Sequence, residues 1–191
     1  MTAPDLRLNV GCGRFPMPGW VNIDLDPDSG AEVFHDLNRF PYPFETASAS
    51  EILAAHVLEH TADPFATMRE LARLLKPGGT LTVRVPHFSR GFTHADHKRG
   101  FDVTFPRYFD PRFTGGYCGV HLEAAGVRLR WFAQPYLKRL ELSPLQFQVA
   151  RALGGVIDLF ANASPFAASR LWCFWVGGFE EVEFVFRGPR S

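Results

Sequence analysis

The chain has 191 residues, 46% of them hydrophobic and 21% charged, which suits one globular domain with its own core and argues against disorder. Twenty basic and twenty acidic side chains give a formal net charge of zero. That argues against a generic nucleic-acid binder, whose affinity rests on neutralising phosphates. Cys12, Cys118 and Cys173 form no close pair and no zinc spacing, and any one disulfide leaves a thiol over, so a reducing compartment is expected. Met1 to Asp5 shows no basic region followed by an apolar run, and the long apolar stretches are broken by Arg151 and Asp158. No secretion signal and no membrane span are expected, and the cytoplasm is the expected location.

In chain order, Leu6 to Val10 reads as a buried strand that runs into glycines, and Trp20 to Leu25 as a second strand that ends in acids. Glu32 to Asp36 and Glu51 to His56 are the third and fourth. Asp63-Pro64 is a helix start, with Asp as N-cap and Pro at the first helical position. Phe65, Met68, Ala72 and Leu75 keep a helical stripe until Lys76-Pro77-Gly78-Gly79 stops it. Thr80 to Val85 is a fifth strand, ended by Pro86. From His87 to Cys118 the periodicity is lost in a segment rich in His, Phe, Gly and Arg, and loops this long in a compact domain are usually functional. A short helix over His121 to Ala125, closed by Gly126, precedes a sixth strand over Val127 to Phe132. Residues 137–170 read as helix broken at Pro144 and Pro165, with apolar residues to 175 at a spacing that suits a core. Glu181 to Arg187 is the last strand, taken as an antiparallel edge. Strands alternating with helical segments point to a parallel α/β sheet.

A strand running directly into Gly11-Cys12-Gly13 lets the chain turn tightly and lets a ligand approach the backbone without a Cβ in the way. In open parallel sheets, ligands bind beyond the carboxyl ends of the strands. Asp24, ending the next strand with Asp26 close by, suits the acceptance of hydrogen bonds from two ribose hydroxyls. Pro16 stands where a dinucleotide fingerprint has its third glycine, which counts against a pyrophosphate ligand and in favour of one without phosphate.

Four stretches together resemble the class I S-adenosylmethionine (SAM)-dependent methyltransferases of the small, UbiE-like type 11 family. They are Leu8 to Gly13, Gly19 to Asp24, Ala55 to His60, and Leu74 to Gly79 before the strand Leu81 to Val85. A looser likeness to one subgroup continues through Pro86 to Ser89, Asp96 to Arg99 and Tyr108 to Pro111. The resemblance implies a Rossmann-like, doubly wound, mostly parallel seven-stranded sheet with an antiparallel edge strand and a helical C-terminal insertion. It implies one SAM-binding domain over residues 1–191, with 87–120 and 137–175 as the substrate-side loop and insertion. By position, it places Asn9, Gly11, Cys12 and Gly13 beside the methionine part of SAM and Asp24 and Leu25 at the ribose. Asp36 and Leu37 fall at the adenine, and Ala55 and His56 under the sulfonium. Two departures stand out. The family's usual acid before the first glycine is Asn9 here, and only ten residues, two of them proline, separate Gly13 from Asp24. A parallel crossover usually takes a dozen or more residues with a helix, so the usual helix after the glycine turn is expected to be tiny or absent.

The expected reaction is methyl transfer to a small molecule. No Asn/Asp-Pro-Pro-Tyr/Phe stretch ends the fourth strand, where Ala54-Ala55-His56 stands, and this favours oxygen over nitrogen as the acceptor. An oxygen acceptor needs a base, for which His87, His97 and Tyr108 are the candidates. Glu59 and His60 read as structural or supporting. His87, His94, Asp96 and His97 either fix a long loop by hydrogen bonds or bind a metal, and no metal ligand is assigned. A non-catalytic SAM-binding or assembly protein, and a related fold binding another nucleotide, are the alternatives. Aromatics in the C-terminal third suit a homodimer.

Overall fold

The computed structural model describes residues 5–91 and 94–189. Met1 to Pro4, on which most of the reading of the N-terminus rests, lie outside the described residues. Seven strands form one sheet: β1 (Leu6–Val10), β2 (Val21–Asp24), β3 (Val33–Phe34), β4 (Ala49–Ala55), β5 (Leu75–Pro86), β6 (Glu123–Arg130) and β7 (Glu181–Arg187). Their order is β3-β2-β1-β4-β5-β7-β6. The pairs β1/β2, β1/β4, β2/β3 and β4/β5 are all parallel. Between β5 and β7 the partners run in opposite senses: Gly188 N–H donates to the Gly79 carbonyl at one end, and His87 N–H to the Glu180 carbonyl at the other. β7 is therefore the antiparallel strand, but it lies one place in from the edge, with β6 outside it. Burial explains the order. Val182, Phe184 and Phe186 of β7 are fully buried, whereas β6 is exposed along most of its length.

β6 starts four residues before the expected strand and takes up Glu123 to Ala125, the helix expected over His121 to Ala125. Ala and Glu are good helix formers, but the propensity of three residues is a small energy that strand pairing overrides.

By its contacts the chain divides into two compact units. The first comprises Met1–Arg84, Pro106–Gly126 and Phe184–Ser191; the second comprises Val85–Phe105 and Val127–Glu183. In the first unit, α1 (Pro64–Leu74) begins at Asp63, whose carboxylate accepts from the N–H groups of Phe65 and Ala66 at 2.9 and 3.1 Å. It buries Thr67, Met68, Leu71 and Leu74 on one face. Replacing Asp63 by Ala should cost about 1 kcal/mol, the worth of a two-donor N-cap, read as a lower urea midpoint with unchanged slope.

In the second unit, α2 (Pro135–Glu141) leads to α3 (Pro144–Ala163), which starts with a capping box of Ser143 and Gln146. α3 is held to the end of β6 by polar ties. Asp158 accepts from Trp131 N–H at 2.7 Å, and the Asn162 amide exchanges two hydrogen bonds with the Leu129 backbone. Gly154 allows that approach, since a Cβ there would stand 2.8 Å from the Phe132 Cβ. The apolar periodicity of α3 proves to mark two stripes. Phe147, Gly154 and Ala161 are buried, while Leu145, Val149, Leu153, Val156 and Phe160 are at least half exposed, so the core expected there forms on one face only.

Candidate functional site

The end of β1 is a turn closed by backbone hydrogen bonds: Gly11 and Cys12 N–H both donate to the Ile23 carbonyl, at 2.8 and 3.1 Å. Gly11 takes φ +65° and Gly13 φ +52°, in the left-handed region. Gly13 N–H donates to Asp24 Oδ2 at 2.7 Å, and Asp26 N–H to Asp24 Oδ1 at 2.9 Å. One carboxylate thus pins the glycine turn to the end of β2. Each of its oxygens retains a second lone pair.

The crossover from β1 to β2 contains no helix. A polar cluster holds it instead. Asn22, 2% exposed, accepts from Met17 N–H at 2.7 Å and donates to the carbonyls of Met17 and Trp20. Glu32 accepts from Asn22 N–H at 2.7 Å, and that bond holds the Glu32 carboxyl below its ordinary range. Asn9 belongs to the same cluster: it is 4% exposed, and its amide donates to Asn22 Oδ1 at 2.8 Å and to the Phe15 carbonyl at 3.1 Å. The ten-residue link is stable because buried side-chain hydrogen bonds replace a helix's own.

Beyond the strand ends lies a cleft of about 320 Å³ formed within the first unit. Gly11, Gly13, Asp24, Leu25, Asp36, Leu37 and His56, all expected as cofactor-binding from the sequence, line it together with Val57 and His60 of the Ala55 to His60 stretch, of which His60 was read as structural or supporting, and with Asn38 and Thr61, which the sequence did not single out. Asn9, Cys12 and Ala55 do not line it. Cys12 is 4% exposed, and burial pushes its thiol above the ordinary range. Asp36 Oδ1 accepts from Asn38 N–H at 3.0 Å, which holds its carboxyl below the usual value, and Asn38 Oδ1 accepts from Ala62 N–H at 2.8 Å. Leu37 is steadied from behind, since the buried Tyr42 donates its hydroxyl to the Leu37 carbonyl at 2.9 Å. His56 takes φ +56°, and its N–H donates to the Arg84 carbonyl at 2.8 Å. Asn38 and Thr61 sit in turns after β3 and β4, where hydrophobic periodicity carries no signal, and the resemblance marked the stretch of Val57 and His60 without placing either at the cleft.

Of the three base candidates, Tyr108 lies in the first unit, where its half-buried ring packs against Phe65 and Phe113 and does not line the cleft. His87 and His97 belong to the second unit. His97 Nδ1 is 2.6 Å from the Gly91 carbonyl, an acceptor, so this nitrogen carries the proton. His94 and His97 stack with ring centroids 4.8 Å apart. His87 is fully buried, with Nδ1 2.7 Å from Ser89 Oγ and Nε2 2.8 Å from Ser169 Oγ. The network assigns its tautomer. Ser89 N–H approaches Nδ1 at 3.3 Å, making Nδ1 the acceptor, so Nε2–H donates to Ser169, whose hydroxyl donates to Asp102 Oδ2 at 3.1 Å. Burial lowers the His87 imidazole to about 4, so it is neutral at neutral pH. Among the described residues no helix is long and apolar enough to cross a membrane.

Residues 25–83 match the methyltransferase domain family. No curated protein matches the chain. Among solved structures it is similar to a SAM-dependent methyltransferase from Archaeoglobus fulgidus, at 14% identity and a TM-score of 0.53, covering 96% of this chain and 86% of that one. It is also similar to geranyl diphosphate C-methyltransferase from Streptomyces coelicolor, solved with Mg2+, geranyl-S-thiolodiphosphate and S-adenosylhomocysteine, at 13% identity and a TM-score of 0.54, covering 96% and 69%. A third similarity is to the [4+2]-cyclase SpnF, at 16% identity and a TM-score of 0.53, covering 100% and 77%. At these identities the structures share the fold, and the fold hosts more than one chemistry.

Proposed function

From a chain whose residues 25–83 match the methyltransferase domain family and whose fold is shared with SAM-dependent methyltransferases, we propose an enzyme that transfers the methyl group of SAM to a small molecule, at oxygen. The observation that carries this reading is the cleft in which the pinned glycine turn, Asp24, Asp36 and His56 converge. Asp24 is assigned the ribose hydroxyls, using the lone pairs that Gly13 and Asp26 leave, with Leu25 beside it. Asp36 and Leu37 take the adenine, and Asn38 and Thr61 border that end. Gly11, Gly13 and His56 surround the methionine and sulfonium end. Asn9, Cys12 and Ala55 are assigned supporting roles behind this surface, because the cleft lining does not include them. A lining with two carboxylates suits a cationic, phosphate-free ligand better than a dinucleotide.

The acceptor's proton is assigned to His97 or Tyr108. His87, with both nitrogens engaged, is assigned to positioning the second unit's loop. A small-molecule acceptor, a homodimer and a cytoplasmic location belong to the same proposal. A non-catalytic SAM-binding protein is the second reading, favoured by the engagement of Asn9 in the crossover rather than at the cleft.

Titration with SAM, S-adenosylhomocysteine, NAD and NADP, followed by thermal shift, tests the donor. Only the two SAM compounds should stabilise the protein, and stabilisation by neither refutes the reading. Asp24→Ala should weaken SAM by roughly 10–100-fold, the worth of hydrogen bonds to a charged group. Asp24→Asn should fall between it and wild type. Unchanged affinity in Asp24→Ala would remove the ribose assignment.

A further inference from the structure

We propose that the outward face of α3 pairs antiparallel with the same face of a second copy of this chain, about a two-fold axis. This rests on the homodimer of the proposed function, to which it gives an interface, and not on the methyl donor. Leu145, Val149, Ala152, Val156, Leu159 and Ala163 follow one another at alternating steps of four and three residues, the spacing of a coiled-coil seam. All six are exposed. Leu153 and Phe160, also at least half exposed, widen the stripe on one side. The buried residues Phe147, Gly154 and Ala161 recur every seven residues on the opposite side of the helix. The seam therefore points away from the body of the second unit.

Area, charge and side-chain size select a second copy as the occupant. Pairing removes roughly 600–700 Å² of accessible surface from each copy, near the about 800 Å² per partner of a specific interface and above the largest apolar patch usual on a monomer. The charged side chains of α3 are Arg151 and Asp158, both on the flank nearer the buried side, so pairing opposes no like charges along the seam. An anionic bilayer is attracted by several Lys or Arg bordering such a stripe; α3 offers Arg151 alone, and the chain has no net charge. Size sets the direction. With the axis at the level of Gly154, Leu145 faces the partner's Ala163, Val149 the partner's Leu159, and Ala152 the partner's Val156. Leu153 likewise faces the partner's Gly155. Large residues thus meet small ones throughout, as close packing requires. A parallel pair would set Ala152 against Ala152 and Ala163 against Ala163, leaving gaps. The contact is isologous, since each residue and its counterpart exchange places across the axis.

The test measures the molar mass of the whole chain by sedimentation equilibrium over a range of micromolar concentrations, without SAM. Wild type should be a dimer. Ala152→Glu and Val156→Lys, both at exposed positions and checked for folding by circular dichroism, should each weaken the dimer by about 100-fold or more, because each buries an unpaired charge at the seam. Mixing the two variants in equal parts should restore the dimer mass. In the antiparallel pair the two new charges face each other once, and the second contact between positions 152 and 156 stays native. Monomeric wild type, a folded Ala152→Glu that remains dimeric, or no recovery on mixing overturns the proposal. The second of these leaves the homodimer itself standing, and none of them bears on SAM binding. Wild type that stays monomeric yet sediments with vesicles of phosphatidylserine and phosphatidylcholine would assign the stripe to a lipid surface and equally overturns the pairing.

Discussion

Gly11→Ala should destabilise the protein by about 3 kcal/mol or more and remove SAM binding with it. Two separable costs add. Gly11 has φ +65°, a conformation that costs an L-residue about 1–2 kcal/mol. A Cβ at this position would also stand 2.3 Å from Cγ2 of Val57, well inside contact distance. Val57 is 6% exposed and packed where β4 turns into the cleft, so its methyl groups have little room to withdraw. The double variant Gly11→Ala/Val57→Ala tells the costs apart. The nearest Val57 atom then becomes its Cβ, at 3.4 Å, which is ordinary contact. The overlap disappears, the backbone cost remains, and a small cavity is added. Chemical denaturation should show Val57→Ala to be destabilising alone but partly compensating in the Gly11→Ala background, a coupling of about 1 kcal/mol or more. Gly11→Ala within 0.5 kcal/mol of wild type would mean that the turn is looser than its geometry indicates.

That overlap also shows what was legible in the sequence. The strand entering Gly-x-Gly, the acid ending β2 and the Asp-Pro start of α1 are local signals, and the structure has each where its local chemistry demands. Asp63 is an N-cap because its carboxylate reaches two N–H groups, a feature contained in the four consecutive residues Asp63 to Ala66. Val57 as the neighbour of Gly11 is not local. It follows from β1 pairing with β4 in a register that sets Val10 against Ala54, and no periodicity reveals a register. The Lys76-Pro77-Gly78-Gly79 stretch has the same lesson. It reads as a helix stop, and α1 does end before it, yet it is also the first part of β5. Gly78 and Gly79 exchange backbone hydrogen bonds with Gly188, more than a hundred residues away. Asn9 was legible as a departure from a family pattern but not as to its use, because its partner Asn22 belongs to a cluster built across the crossover. Apolar spacing marked α3 as helical and was silent on which of its two stripes would be covered.

His87 provides the largest expected pH effect. Its imidazole is lowered to about 4 by burial, against about 6.5 when exposed, with Asp102 acting weakly the other way and Arg170 adding to the lowering. Between those values the unfolded chain binds a proton that the folded chain does not. Stability from this group is therefore complete above pH 6.5 and is lost as the pH falls from 6.5 toward 4. The full difference is roughly 3 kcal/mol. Asp102 itself titrates below this window, since its carboxyl is held under the ordinary value, against the burial penalty, by hydrogen bonds from Thr104 and Ser169 and by Arg170. Urea unfolding of wild type should accordingly lose most of that energy between pH 7.5 and pH 4.5. His87→Asn keeps a polar group between Ser89 and Ser169 but has no proton to gain. It should be less stable than wild type at pH 7.5, by about 2 kcal/mol from imperfectly satisfied buried partners, and the gap should narrow or close at pH 4.5. Measuring the difference between the two proteins at each pH cancels every other titrating group. Parallel pH profiles would show that His87 takes up its proton in the folded state, with Nδ1 no longer an acceptor. The chain from Ser89 through His87 and Ser169 to Asp102 would then run in the opposite donor sense at His87.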